Sequence, residues 1–230
     1  VKRDLTRDRI VAAAYDLLLQ GGREAVSTRA VCAASGVQSP TIYRIFGDKD
    51  GLLDAVASHG FASYLADKTS LAHSADPVDD LRRGWDLHVG FGVANPALYS
   101  LIYGDARTGV SSPAARQAAD VLAGTVRRIA EAGRLKVAEE RAAHLVHSAG
   151  CGLTFTLIAT PEDERDPELS TTAREAVIAA VTTGPAPTGA PTGPVGAAIA
   201  LRAAAPELTA LSAGERALLA EWLDRVVARG

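Results

Sequence analysis

The chain has 230 residues, 47% of them hydrophobic and 22% charged, with a formal net charge of −3. This is the composition of an ordinary globular protein with a sizeable core, and the slightly acidic balance excludes a wholesale polyanion-coating role while leaving room for a local basic face. The two cysteines, Cys32 and Cys151, lie far apart in different predicted helices, which excludes a disulfide framework and paired zinc-ligand spacing and points to reduced thiols. The opening residues VKRDLTRDRI lack an apolar signal segment, and the longest apolar stretch, around 148–159, falls short of the roughly 20 residues that cross a bilayer. A soluble, cytoplasmic protein with no membrane partner is therefore expected.

In chain order, Ile10, Ala13, Ala14, Leu17 and Leu18 recur at helical spacing behind Thr6, and the pattern stops at Gly21 and Gly22, so a first helix is expected over 6–20. A short second helix is expected over 28–35, capped by Ser27 and closed by Gly36, where a left-handed residue ends a helix without a Cβ penalty. Pro40 suits the first turn of a third short helix ending near Phe46. Asp48 then caps a long fourth helix whose apolar face carries Leu53, Val56, Gly60, Phe61, Tyr64 and Leu65.

Helical periodicity continues over 79–95, 99–103, 113–132, 138–159 and 170–183, with no convincing strand alternation. The segment GPAPTGAPTGP at 184–194 reads as a linker. Two more helices are expected beyond it, over 195–205 and 212–229. The last opens on a Ser212-x-x-Glu215 capping box and gathers Leu218, Leu219, Trp222 and Val226 on one face. Trp222 in such a stripe is expected to dock, by folding back as a brace or by swapping onto a partner.

The helix, glycine turn and short helix at 28–46 have the size and spacing of a helix-turn-helix, whose second helix fits a major groove about 12 Å wide. The residues RIVAAAYDLLLQGG followed by STRAVCAASGVQSPTIYRIFGDKDGLLDAV resemble the head of the TetR/AcrR family over about residues 6–56. That resemblance implies an all-α fold with an N-terminal helix-turn-helix joined to a larger helical domain that binds effectors and dimerises. On this reading residues 1–50 are the DNA-binding domain, 51–183 the effector-binding and dimerisation domain, and 184–230 the linker and a helical extension.

The resemblance further implies that Gln38, Ser39, Thr41 and Arg44 face base edges or nearby phosphates and that Tyr43 bonds a phosphate. Gln pairs with adenine and Arg with guanine in bidentate fashion, so the residue types suit that task. Thr28, Arg29 and Lys49 would hold flanking phosphates, while Ile42 and Phe46 pack inward. Residues 1–50 carry a net charge of +2 and the remainder −5, a contrast in the expected direction.

Seven of the eleven aromatic residues, Phe61, Tyr64, Trp85, Phe91, Tyr99, Tyr103 and Phe155, lie in the body between the head and the linker. Taken singly each is an ordinary core residue; together they are the effector-pocket candidates, because the family resemblance implies a pocket for a small, mainly apolar or aromatic effector. His88, one turn beyond Trp85, is the candidate polar group inside it, and a satisfied buried histidine accounts for it equally well. His144, His147 and Cys151 share a helix face with nitrogen and sulfur donors, yet no second close ligand pair supports a metal, and packing across a subunit interface is the favoured account.

Helices 138–159 and 170–183 are rich in small and aliphatic residues and, by the resemblance, form a dimer bundle. A homodimer would set two recognition helices about 34 Å apart on a palindromic operator of double-stranded DNA. No Gly-x-Ser-x-Gly, phosphate loop or dinucleotide fingerprint is present, so neither an enzyme nor a bound cofactor is expected. A ligand-responsive repressor is the leading expectation, with an activator or a partner-controlled DNA-binding regulator as the alternative and a helical non-DNA interaction protein as the last.

Overall fold

The computed structural model describes residues 2–70, 74–104, 112–184 and 193–229. The fold is all-α. Among the described residues the α-helices are α1 (Lys2–Ala25), α2 (Thr28–Ser35), α3 (Ser39–Phe46), α4 (Lys49–Ser70), α5 (Pro77–Ala94), α6 (Pro96–Tyr103), α7 (Pro113–Glu131), α8 (Glu139–Ala159), α9 (Leu169–Val181), α10 (Gly193–Ala204) and α11 (Ala213–Arg229). Extended pairing among them is confined to one isolated bridge, Leu135 with Thr182. Most of the expected linker, residues 185–192, lies outside the described residues.

The chain packs as two compact units. The first comprises residues 1–70 and 90–118, the second 71–89 and 119–230. The expected boundary at residue 50 falls inside the first unit, because α4 and α6 pack on the helices of the head.

In the first unit α1 begins four residues before the expected Thr6 and is broken where the glycines predict, at Gly21 (φ −147°, ψ 21°) and Gly22 (φ 66°, ψ −166°). Its inner face buries Ile10, Ala14 and Leu18 against a core shared with Val26, Val31, Ile42, Leu52, Val56, Phe61 and Leu98, all at most 1% exposed. Each such large side chain contributes on the order of 1.5–3 kcal/mol by leaving water. Tyr15 and His59 meet edge to face, ring centroids 5.6 Å apart.

In the second unit the core is built from Leu81, Trp85, Val126, Ile129, Leu135, Val146, Ile178, Val181 and Ile199. Asp80 is buried at the start of α5, where burying an unpartnered carboxylate would be costly. It accepts from the Ser74 amide at 3.0 Å and the Ser74 hydroxyl at 2.7 Å, and its carboxylate is paired with Arg83 and Arg128. Burial alone would raise the Asp80 pKa, but the bonds from Ser74 and Arg128 outweigh it and hold the carboxyl well below its ordinary value. Arg82 grips Glu175 of α9 through Nε (3.0 Å) and Nη2 (2.9 Å), and Arg174 grips Asp86 through two oxygens at 2.6 and 2.7 Å. The Arg82 fork and the Arg174 Nη1 contact to both Asp86 oxygens tie α5 to α9. Arg165 closes the end of α8, its Nε donating to the Leu157 carbonyl in the last turn and to the Thr160 carbonyl of the cap.

Helix α11 opens on the expected capping box. The Ser212 amide donates to the Glu215 carboxylate at 2.7 Å, and the Glu215 amide returns a bond to Ser212 Oγ at 3.3 Å. Helix α11 packs on α10, and the Arg127 guanidinium ties α7 to the Ala203 carbonyl of α10 at 2.7 Å. Among the described residues docking of Trp222 on its own chain, one of the two arrangements expected, is not found. Packing on α10 half-buries the other flank of α11 and leaves Leu218, Trp222 and Val226 exposed.

Candidate nucleic-acid interface

Ser27 sits in an extended conformation, and its Oγ accepts from the Ala30 amide at 3.2 Å, which starts α2. Gly36 ends it at φ 66°, ψ 31°, a left-handed turn that a side chain would strain. Three residues later, at Ser39, α3 begins with Pro40 in its first turn, where its missing N–H is no loss. The second closure is at the α3–α4 junction. Asp48 Oδ1 accepts from the Gly51 amide at 2.7 Å, and a Cβ on Gly51 would lie 2.1 Å from the Phe46 carbonyl oxygen.

Helix α3 is consequently held by one face. Ile42 is 1% exposed and anchors it, whereas Phe46 is half-buried and lies under the Arg7 guanidinium, 5.8 Å from its ring centroid. The inward packing expected for Ile42 is thus complete and that of Phe46 partial. Away from Ile42 the helix exposes Tyr43 and Arg44, Gln38 is exposed at its N-cap, and Thr41 is half-buried. Ser39 is half-buried as well, and its Oγ accepts from the Cys32 thiol at 3.8 Å. Arg29 and Lys49 are exposed at the starts of α2 and α4, and Thr28 is half-buried. A short two-turn helix with exposed amide, phenol and guanidinium groups, flanked by cations, has the donors that nucleic-acid phosphates and base edges accept.

Residues 10–56, which span this whole arrangement, match the profile of the bacterial regulatory proteins of the tetR family. Over these residues the chain is similar to the TetR family. An HTH-type transcriptional repressor of Mycobacterium tuberculosis is 40% identical over 80 residues, covering 34% of this chain and 40% of the relative. The chain thus spans about two fifths of the length of the curated relatives it matches. Among solved structures, a putative tetR family transcription regulator from Shewanella sp. PV-4 shares the fold, with a TM-score of 0.60 at 20% identity, over 78% of this chain and 99% of that one. A TetR variant from Acinetobacter baumannii AYE, solved in complex with minocycline, gives a TM-score of 0.57 at 22% identity, over 74% of this chain and 93% of that one.

Outside the TetR-like head, the effector candidates fall into separate groups. In the first unit Phe61, Tyr64 and Phe91 form a three-ring cluster with centroids 4.5–5.3 Å apart, and Tyr99 stacks obliquely on Tyr103 at 4.8 Å. In the second, Trp85 is buried and its indole N–H donates to Ser170 Oγ at 3.2 Å, while Phe155 and His88 are half-buried. A groove of about 410 Å³ lies elsewhere, along the outer side of α8, lined by Ala138, Glu140, Arg141, His144, Leu145 and Ser148.

His147 and Cys151 do approach each other, at 3.7 Å, but their third neighbour is His88 of α5, 3.9 Å from the thiol. Among the described residues no group of three or more His, Cys, Asp or Glu is arranged to hold a metal ion. The approach of His88 was invisible in the sequence, because 63 residues separate it from Cys151. Gly150 is the local signal that was present: it leaves the Trp85 and His88 rings 3.5–3.6 Å from where a Cβ would stand.

Proposed function

We propose that this chain is a TetR-family, ligand-responsive transcriptional repressor that binds a palindromic operator as a homodimer and is released by a small apolar or aromatic effector. The observation that carries the reading is the one-sided anchoring of α3. Ile42 fixes the helix from within while Tyr43 and Arg44 on its outer side and Gln38 at its N-cap stand exposed. In this role Arg44 and Gln38 read base edges in the major groove, and Thr28, Arg29, Thr41, Tyr43 and Lys49 hold phosphates that set the register. Ser39 contributes through its position beside Cys32, as the first residue of the helix.

Homodimerisation is supported by α8. It is 21 residues long and apolar enough to cross a bilayer, yet only 33% of its apolar window is buried in the chain. Its outer face shows Leu145 at 43% exposure beside the small residues Ser148 and Gly152. A surface of that kind suits close packing against another helix. Effector binding is supported by the fold shared with a TetR protein seen in complex with minocycline, and by the aromatic clusters around Phe61 and Tyr99. Release follows when the effector stabilises a conformation in which the two heads no longer match the groove spacing.

The test is selection of duplexes from a random pool by the purified protein, followed by a compound screen for release. The reading expects enriched sequences with two-fold symmetry and half-sites about one helical turn apart. Recovery of no preferred duplex at low ionic strength would overturn it.

A further inference from the structure

One thiol of the second unit lies between two imidazoles. Cys151 Sγ is 3.7 Å from Nε2 and 3.8 Å from Nδ1 of His147, one turn earlier on α8, and 3.9 Å from Nε2 of His88 on α5. Gly150 permits the arrangement, since the His88 and Trp85 rings of α5 approach to 3.5 and 3.6 Å of the place where its Cβ would stand. The thiol is half-buried and His147 is exposed, so the group has an open side. The chain's other thiol, Cys32, is half-buried as well, but its neighbour at 3.8 Å is the Ser39 hydroxyl. A hydroxyl is no base at neutral pH. A neutral imidazole, by contrast, takes a thiol proton and leaves the nucleophilic thiolate beside an imidazolium.

We propose that Cys151 is a covalent capture site for a soft carbon electrophile, an α,β-unsaturated carbonyl compound with a flat apolar body. An imidazole nitrogen accepts the S–H proton, and the sulfur electron pair forms the S–C bond at the β-carbon. The C=C electron pair moves onto the α-carbon and carbonyl oxygen, and the imidazolium returns the proton to the α-carbon. The sum is addition of S–H across the double bond, so no oxidant or reductant is required. A disulfide cannot form within this unit in its place, because Cys151 is the unit's single cysteine. Trp85 on the α5 side and half-buried Phe155, one turn beyond Cys151 on the same face of α8, supply apolar neighbours for the body of such a compound. An adduct competes with the His88 ring for space, and α5 runs on from His88 into the first unit at Gly90. Capture as the signal for operator release rests on the proposed function; the reactivity of the thiol does not.

The full chain treated with one equivalent of N-ethylmaleimide tests it, adducts at the two cysteines being followed by peptide mass mapping. An unassisted thiol is only a few per cent ionised at pH 7, so Cys151 is expected to react about tenfold faster than Cys32. His147→Asn and His88→Asn should each slow Cys151 several-fold at pH 7. That difference should vanish near pH 10, where a thiol ionises unaided, whereas a loss of packing would persist at both pH values. His147 is exposed, so its replacement should leave helicity unchanged. Equal rates at the two cysteines, or no effect of either histidine variant at pH 7, would overturn the proposal. So would oxidation of Cys151 by hydrogen peroxide that outpaces its alkylation at equal reagent concentration. With a duplex selected by the chain, the same reagent should release the natural protein and leave Cys151→Ser bound, each compared with its own untreated binding. Equal release of both would sink the capture site as an effector site. A natural protein that binds no duplex at all would instead sink the proposed function, and the alkylation rates would still decide the chemistry of Cys151.

Discussion

On the proposed function, single positions in the head separate reading from gripping. Arg44 stands exposed on α3 opposite the buried Ile42, and Arg44→Ala is expected to cost about 1–3 kcal/mol in operator affinity with relaxed sequence preference at one base pair. Lys49→Ala should instead weaken binding about equally for all duplexes and reduce the slope of log affinity against log salt by about one, which titrations at several salt concentrations will read. Gly51 contributes by absence. Its Cβ would stand 2.1 Å from the Phe46 carbonyl oxygen, a backbone atom fixed by the α3–α4 turn. The gain in helix propensity from Gly51→Ala, about 1 kcal/mol at most, is smaller than the cost of moving backbone, so thermal unfolding should show a net loss of about 2 kcal/mol. The outward placement of Gln38, Tyr43 and Arg44 was legible through the family resemblance, and spacing from Ile42 agrees for Tyr43 and Arg44, whereas Gln38 is exposed at the N-cap. The retreat of Ser39 toward Cys32 was not, because the contact spans the turn between two helices.

At the level of elements, what was legible was punctuation. Ser27, Gly36, Pro40, Asp48 and the Ser212–Glu215 box all act through bonds within a few residues, so local sequence specifies them. The arginine pairs that tie α5 to α9 join positions more than 85 residues apart and leave no local trace. They predict an acid-sensitive second unit. The Arg134 guanidinium holds Asp76, and that of Arg82 holds Glu175, below their ordinary values of 3.8 and 4.5, and Asp80 is lowered by Ser74 and Arg128 against the effect of burial. A carboxyl depressed in the folded state stabilises it above its unfolded pKa, and that contribution is lost as pH falls toward the folded value. Stability followed by helicity should therefore be full above about pH 5 and decline steadily below it, without a matching decline toward pH 8. Asp80→Ala, which strands Arg128 in a partly buried site, should lower stability by about 3 kcal/mol at pH 7.

For the whole molecule, helix content and order followed from the sequence almost throughout, whereas grouping did not. The stretch from Pro77 to Ala94 is one helix by any local signal, yet its residues are shared between two packing units, a division made by contacts with distant segments. The effector candidates scattered for the same reason, since aromatic content says where a core is rich and not which ring meets which. Leu145→Asp places a charge on the outer face of α8 and, on the proposed assembly, should give monomers by light scattering. Operator affinity at fixed protein concentration should then fall by at least tenfold, because a single head makes half the contacts.

The two tryptophans have opposite surroundings. Trp85 is 4% exposed and bonded to Ser170, whereas Trp222 is 53% exposed. Indole emission shifts to shorter wavelength in a dry environment, so the natural protein carries two spectrally separate optical reporters without any label. Dissolved quenchers will silence one and spare the other. Movements of α5 upon effector addition can thereby be followed in the surviving signal, in solution and in real time.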